Sequence, residues 1–234
     1  MIKCNAKRLL DILISSAALI ILAPLLMVVM VILKFTGEGE IFFLQPRVGL
    51  NGKLFHLFKF ATMLKASPNM AGGVLTTKND PRILPAGKFL RKTKINELPQ
   101  LINILKGEMS VVGPRPQAQA HFDVFPAHVK REIVKVKPGL TGVGSVVFRD
   151  EEELMARSPK GAKRCYEEDI APYKGELEIW YVRNQTIRLD LLLSILTLLV
   201  IVFPGIERHT QLFKAVPQKP AQILELYGSY KSNE

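Results

Sequence analysis

Apolar positions along the chain group into one long run and one short run, with alternating and helical patterns between them. Residues 12–33, "ILISSAALIILAPLLMVVMVIL", are 22 consecutive uncharged, mostly apolar positions. As a straight helix they measure about 33 Å, nominally enough for the roughly 30 Å hydrocarbon core of a bilayer. The run is too long for a cleaved signal, and no small-x-small site ends it. Pro24 lies near its middle, where it removes one backbone hydrogen bond and crowds the preceding turn, so a kink is expected there. The two arms, about 12 and 10 residues, are each too short to cross alone.

Both flanks are basic, Lys3, Lys7 and Arg8 before the run and Lys34 after it. Basic flanks favour the cytoplasm, which a re-entrant helical hairpin satisfies; the other arrangement is a single kinked span with its N-terminus outside. Asp11, a carboxylate at the membrane edge, needs a partner, and Lys7 or Arg8 one helical turn earlier is in reach.

The second run, residues 191–203 ("LLLSILTLLVIVF"), is too short to span and reads as a core or interfacial helix. Between the runs, residues 41–63 form two β-rich stretches around Asn51-Gly52, a strong hairpin-turn signal. Residues 96–109 carry apolar positions at 98, 101, 102, 105 and 109 and a glycine at 107, the face and stop of a short amphipathic helix. Asn96 is then the expected N-cap, with Glu97 favoured by the helix dipole and Pro99 in the first turn.

Charge changes the picture of partners. The chain carries 32 basic and 21 acidic residues, and residues 1–100 hold 14 of the former and only 5 of the latter. With a long apolar run in the same half, phospholipid head groups or a phosphorylated substrate fit better than nucleic acid. Two distant cysteines give no disulfide framework or zinc ribbon, and four scattered histidines, His56, His121, His128 and His209, lack metalloprotease spacing. The acidic run 150–153 reads as a solvated face.

These segments resemble, in order and spacing, the bacterial sugar transferases that act as monotopic phosphoglycosyl transferases. The resemblance is carried by "KRLLDILI" running into an apolar helix broken at Pro24, "QPRVGLNGKLFHLFKFATM", "DPRILPAGKFLRKTKINELPQLINILKGEMSVVGPRP", "VKPGLTGVGSV" and "YVRNQTIRLDLLLSILTLL". It covers roughly residues 4–200 apart from a segment near 148–180. It implies a monotopic membrane protein, mixed α/β and mainly helical. Its parts would be a re-entrant helix over 1–36, kinked at Pro24; a small cytoplasmic catalytic domain over 37–204, with short strands and an interfacial helix near 186–203; and a C-terminal tail over 205–234.

The implied reaction passes a phosphosugar from a nucleotide diphosphate sugar to polyprenyl (undecaprenyl) phosphate and releases a nucleoside monophosphate. The expected setting is the cytoplasmic face of the bacterial inner membrane, with Mg2+ as cofactor and downstream glycosyltransferases as possible partners. In the family an Asp-Glu pair does the chemistry: the aspartate attacks the β-phosphorus, and the glutamate beside it assists. Carried onto this sequence, Glu97 is a catalytic residue and metal ligand, Lys59, Arg91 and Arg115 bind substrate phosphate, and Arg47 and Gly139 shape the donor pocket or a structural turn. Asp11 and Pro24 belong to the membrane segment.

One position departs from the pattern: where the aspartate belongs the chain has Asn96. An amide has no anionic oxygen and its nitrogen lone pair is delocalised, so it cannot take the nucleophile's part. Three accounts follow: an Asp-to-Asn change that traps substrate, a variant in which Glu97 attacks, or a member that binds donor as a membrane adaptor without turnover.

Overall fold

In a computed structural model, residues 2–70, 80–202 and 216–224 are described. The chain opens with helix α1 (Ile2–Phe35), which carries Pro24 in its interior and is long and apolar enough, over Ala6–Phe35, to cross a membrane. Strands β1 (Phe42–Val48) and β2 (Leu54–Phe60) pair antiparallel, with Phe42 opposite Phe60 and Val48 opposite Leu54. Asn51 and Gly52 turn the hairpin with φ of 56° and 74°, the left-handed conformation the Asn-Gly pair is suited to.

Helices α2 (Pro85–Lys92) and α3 (Gln100–Lys106) follow, separated by a tight turn at Ile95–Glu97. Gly107 stops α3 at φ 83°, as the sequence predicts. Strand β3 (Ser110–Val112) pairs in parallel with β4 (Gly139–Thr141), and α4 (Gln119–Val124) and α5 (Ala127–Ile133) lie between them in the chain. The last third is helical: α6 (Val143–Val147), α7 (Glu151–Arg157), and α8 (Ala162–Arg164), which passes through a π-turn at Cys165–Ile170 into α9 (Ala171–Asn184) and then α10 (Ile187–Val202). The main core gathers side chains from β2, α3, β3, α5, α9 and α10, so the 148–180 segment is part of the core.

Both arms of α1 dock on this domain. Asp11 is buried, and its Oδ1 accepts hydrogen bonds from the Ser110 hydroxyl and the Val111 N–H, both at 2.9 Å. The expected pairing of Asp11 with Lys7 or Arg8 is therefore wrong, because each cation has a better partner. Lys7 Nζ donates to Asp190 Oδ2 at 2.6 Å, and the Arg8 guanidinium donates to the Ile104 and Leu105 carbonyls at 2.5 and 2.7 Å, where the α3 dipole ends negative. Beyond Pro24, Val29 and Leu33 pack with Phe60 and Leu90 in a separate small core.

Helix α10 buries Leu193, Leu196 and Val200 and leaves Leu191, Leu192, Ile195, Leu198 and Leu199 exposed, so the second apolar run is a docked helix with a bare apolar face. The expected end of that run at Phe203, His209, and tail residues 205–215 and 225–234 lie outside the described residues. Of the tail, Ile223 is buried in the core and the Pro217 carbonyl accepts from the Tyr173 hydroxyl at 2.9 Å.

Candidate active site

Glu97 closes the turn at Ile95–Glu97, which begins after Lys94 in the left-handed region (φ 60°). Asn96 is not the N-cap of α3. Leu98 and Pro99 intervene, Pro99 holds the cap position without a side-chain bond, and its missing N–H suits a place where no donor is needed. Asn96 instead points inward, 5% exposed, with its Oδ1 buried and unpartnered.

Two other elements bring cations to this turn. Asn103 of α3 fixes β2, accepting from the Phe58 N–H at 2.9 Å and donating to the His56 carbonyl at 2.8 Å, and so sets Lys59 beside Glu97. Lys59 Nζ lies 3.7 Å from Glu97 Oε1. Arg115 donates to the same oxygen at 3.0 Å. The Arg115 loop rests on Gly139, whose N–H donates to the Pro114 carbonyl at 2.8 Å. A Cβ at Gly139 would fall 2.1 Å from the Gly113 nitrogen, so close backbone approach requires a glycine there.

Burial pushes the Glu97 carboxyl up, but Arg115, Lys59 and Lys94 together outweigh it and hold Glu97 well below the usual carboxylate range. It stays ionised at any working pH. Lys59 moves the other way: burial, joined by repulsion from Arg47, Arg115 and Arg91, brings it down to about 7 despite the attraction of Glu97. Arg47 is brought down to about 10 by burial and then by Arg115. Its guanidinium donates to the Pro116 carbonyl at 3.3 Å and to Gln45, leaving Nε buried without a partner.

The structure thus joins Lys59, Glu97 and Arg115 directly, with Asn96 adjacent and Arg47 in electrostatic reach. Arg91 faces the site less directly. It pairs with Glu152 at 2.7 Å and reaches Lys59 only through its charge. The acidic run is not simply a solvated face, because it opens α7 against neighbouring cations: Glu151 pairs with buried Lys174, Glu152 with Arg91 and Glu153 with Arg157.

Two groups were missed in sequence. Glu178 is 1% exposed; one oxygen accepts the Arg115 backbone N–H at 3.3 Å, the other is unpartnered, and burial pushes the group up to about 7 against Arg115 and Lys174. Tyr166 is buried with its hydroxyl unpartnered, feels the charges of Arg115 and Arg47, and has its ring 4.9 Å from that of His121. The available signal was Lys174 and Glu178, charged residues one turn apart on the face of α9 that buries Leu177 and Tyr181.

The family described as bacterial sugar transferase matches residues 2–204, including the 148–180 segment. The chain belongs to the bacterial sugar transferase family. It is 37% identical over 202 residues to a UDP-glucose:undecaprenyl-phosphate glucose-1-phosphate transferase of Klebsiella pneumoniae, covering 85% of this chain and 40% of that protein. It is 37% identical over 166 residues to the exopolysaccharide production protein ExoY of Sinorhizobium fredii, covering 65% of this chain and 73% of that protein. A UDP-N-acetylgalactosamine-undecaprenyl-phosphate N-acetylgalactosaminephosphotransferase of Aeromonas hydrophila is 32% identical over 200 residues, with 84% and 43% covered. The chain spans well under half the length of the Klebsiella and Aeromonas proteins.

Divalent-metal fit can be judged from the same residues. Among the described residues no three His, Cys, Asp or Glu side chains group as a metal site. Glu97 is held by two cations, and its neighbour Asn96 is a neutral amide, so the residues present do not suit Mg2+.

Proposed function

We propose that the chain transfers a phosphosugar from a nucleotide diphosphate sugar to polyprenyl (undecaprenyl) phosphate, releasing a nucleoside monophosphate. The observation that carries this reading is Glu97, an ionised carboxylate held by Lys59 and Arg115 beside the unpartnered Asn96. Cations of this kind are suited to phosphate oxygens, and a diphosphate arriving between them draws Lys59 and Arg115 off Glu97. Freed, a Glu97 oxygen attacks the β-phosphorus; the bond to the α-phosphate oxygen breaks and its electrons leave with the nucleoside monophosphate. The polyprenyl phosphate oxygen, already anionic, then attacks the same phosphorus and returns Glu97 as a carboxylate. Relatives named as phosphotransferases and the retained cations favour turnover over a non-catalytic adaptor.

The membrane arrangement follows from α1. A helix that crosses a bilayer parts its ends by roughly 30 Å onto opposite sides. Here Asp11 docks on β3 while Val29 and Leu33 dock beside Phe60 and Leu90 of the same domain, which supports a segment whose two ends stay on one side of the membrane, although α1 runs through Pro24 as one uninterrupted helix. Exposed apolar residues Ile20, Ile21 and Val28 of α1, with Ile195, Leu198 and Leu199 of α10, support an apolar membrane face. The site then stands at head-group level on the cytoplasmic side of the inner membrane, where a soluble donor and a lipid acceptor both reach it and downstream glycosyltransferases take the product. The test is a screen of nucleotide sugars for nucleoside monophosphate release with and without polyprenyl phosphate. Acceptor-dependent release from at least one donor is expected, and release from none would overturn the proposal.

A further inference from the structure

We infer that in this chain Lys59, Arg47 and Arg115 neutralise the donor's diphosphate themselves, without a divalent cation between protein and phosphate. The inference rests on the donor reading above and concerns how that site holds its ligand.

Three half-buried cations, Lys59, Arg47 and Arg115, surround a single carboxylate, Glu97. With Lys59 protonated, as an arriving anion favours, and the exposed Lys94 left out as screened by solvent, that leaves a surplus of two positive charges, or one if the buried Glu178 behind Arg115 is counted as ionised. The neighbouring ion pairs Arg91–Glu152 and Lys174–Glu151 add nothing to the balance. A sugar nucleotide's diphosphate carries roughly two negative charges, one per phosphate. Surplus and ligand therefore come close to cancelling. A metal ion would add two further positive charges where the protein offers a single carboxylate, Glu97, which the proposed reaction uses as the attacking group.

Asn96 is the residue that sets this balance. It is 5% exposed, next to Glu97 in the chain, and its Oδ1 is a buried polar atom without a partner. An aspartate there would lower the surplus by one and supply a second, uncommitted oxygen anion, which is what a small hard cation bridging to phosphate uses. The neutral amide thus shifts the site from shared metal-and-protein charge compensation to compensation by protein alone.

The experiment is calorimetric titration of the full chain, in lipid nanodiscs, with inorganic pyrophosphate, in EDTA and again with Mg2+. Mg2+ alone is titrated as a separate arm. The parent is expected to bind pyrophosphate in EDTA with an affinity that Mg2+ tightens less than about threefold, and to give no saturable heat with Mg2+ alone. Asn96→Asp is expected to weaken binding in EDTA by about tenfold or more and to regain it with Mg2+. Binding by the parent that Mg2+ tightens more than about threefold would overturn this inference and leave the donor reading standing. An Asn96→Asp protein that binds as tightly as the parent in EDTA would also overturn it. Absence of pyrophosphate binding under both conditions would overturn the inference and the donor reading together.

Discussion

Two clusters of buried charge, Lys7–Asp190–Tyr181 and Lys59–Glu97–Arg115, are made of similar residues and differ in how fully their polar atoms are satisfied. In the first, Lys7 donates to Asp190 at 2.6 Å and to the Val112 carbonyl at 3.1 Å, the Tyr181 hydroxyl donates to Asp190 at 2.7 Å, and Gln185 donates to Tyr181 at 3.0 Å. That network bolts α1 and α10 to β3 and leaves nothing for a ligand to complete. Around the second cluster, Arg47 Nε, Asn96 Oδ1, Tyr166 OH and Glu178 Oε2 are buried without partners. Buried polar atoms left unpaired cost free energy, so their concentration at one site points to a place where a ligand supplies what the fold withholds.

Substitutions in the two clusters should therefore separate activity from stability. The largest effect is expected for Glu97→Gln, which removes the carboxylate proposed to attack and should lower acceptor-dependent nucleoside monophosphate release by about four orders of magnitude or more. A variant retaining a tenth of parental turnover would place the chemistry elsewhere. Asp190→Ala should cost about 3–5 kcal/mol of stability by leaving Lys7 and Tyr181 unpaired, read as a fall in the denaturation midpoint. Pyrophosphate affinity of the folded protein should be unchanged, and a parallel loss of affinity would mean that the two clusters are coupled.

Arg115→Lys keeps the charge but loses the planar fork, and should cost about 1.5–3 kcal/mol of transition-state stabilisation in kcat/KM. Near-normal kinetics would make Arg115 structural. The smallest effect is in pH dependence. Glu178 is raised from 4.5 to about 7 in the fold, so the folded chain binds more protons than the unfolded one across that window. Its contribution to stability is greatest below about pH 4.5, falls as pH rises and is fully lost above about pH 7. Glu178→Gln should flatten that part of the stability profile, which denaturation at several pH values would read; an unaltered slope would assign the dependence to another group.

The same comparison explains what the sequence made legible. The hairpin turn at Asn51-Gly52, the stop of α3 at Gly107 and the docked helix α10 were readable because each depends on local conformation or on the period of apolar residues. Lys59, Glu97 and Arg115 were named through the family resemblance, and the structure brings them together. The partner of Asp11 was not readable, because Ser110 and Val111 lie about a hundred residues away and only packing of α1 on β3 joins them. Asn96 was misplaced as a cap because the cap signature is short, and a tight turn beginning at Ile95 shifts the helix start to Gln100. Glu178 carried a faint signal, a charge on an apolar helix face, that gains meaning only when the Arg115 backbone is seen against it.

The central claim is that Glu97 forms the bond that Asn96 cannot. The direct test is to incubate the chain with a donor found in the screen, without polyprenyl phosphate, quench in acid, digest with trypsin and weigh the peptides. Cleavage after Lys94 and Lys106 releases residues 95–106, in which Glu97 is the sole carboxylate side chain. The account predicts a phosphosugar mass increment on that peptide, lost in Glu97→Gln and discharged when polyprenyl phosphate is added. Acceptor-dependent turnover with no increment on residues 95–106, or with the increment on another peptide, would contradict it.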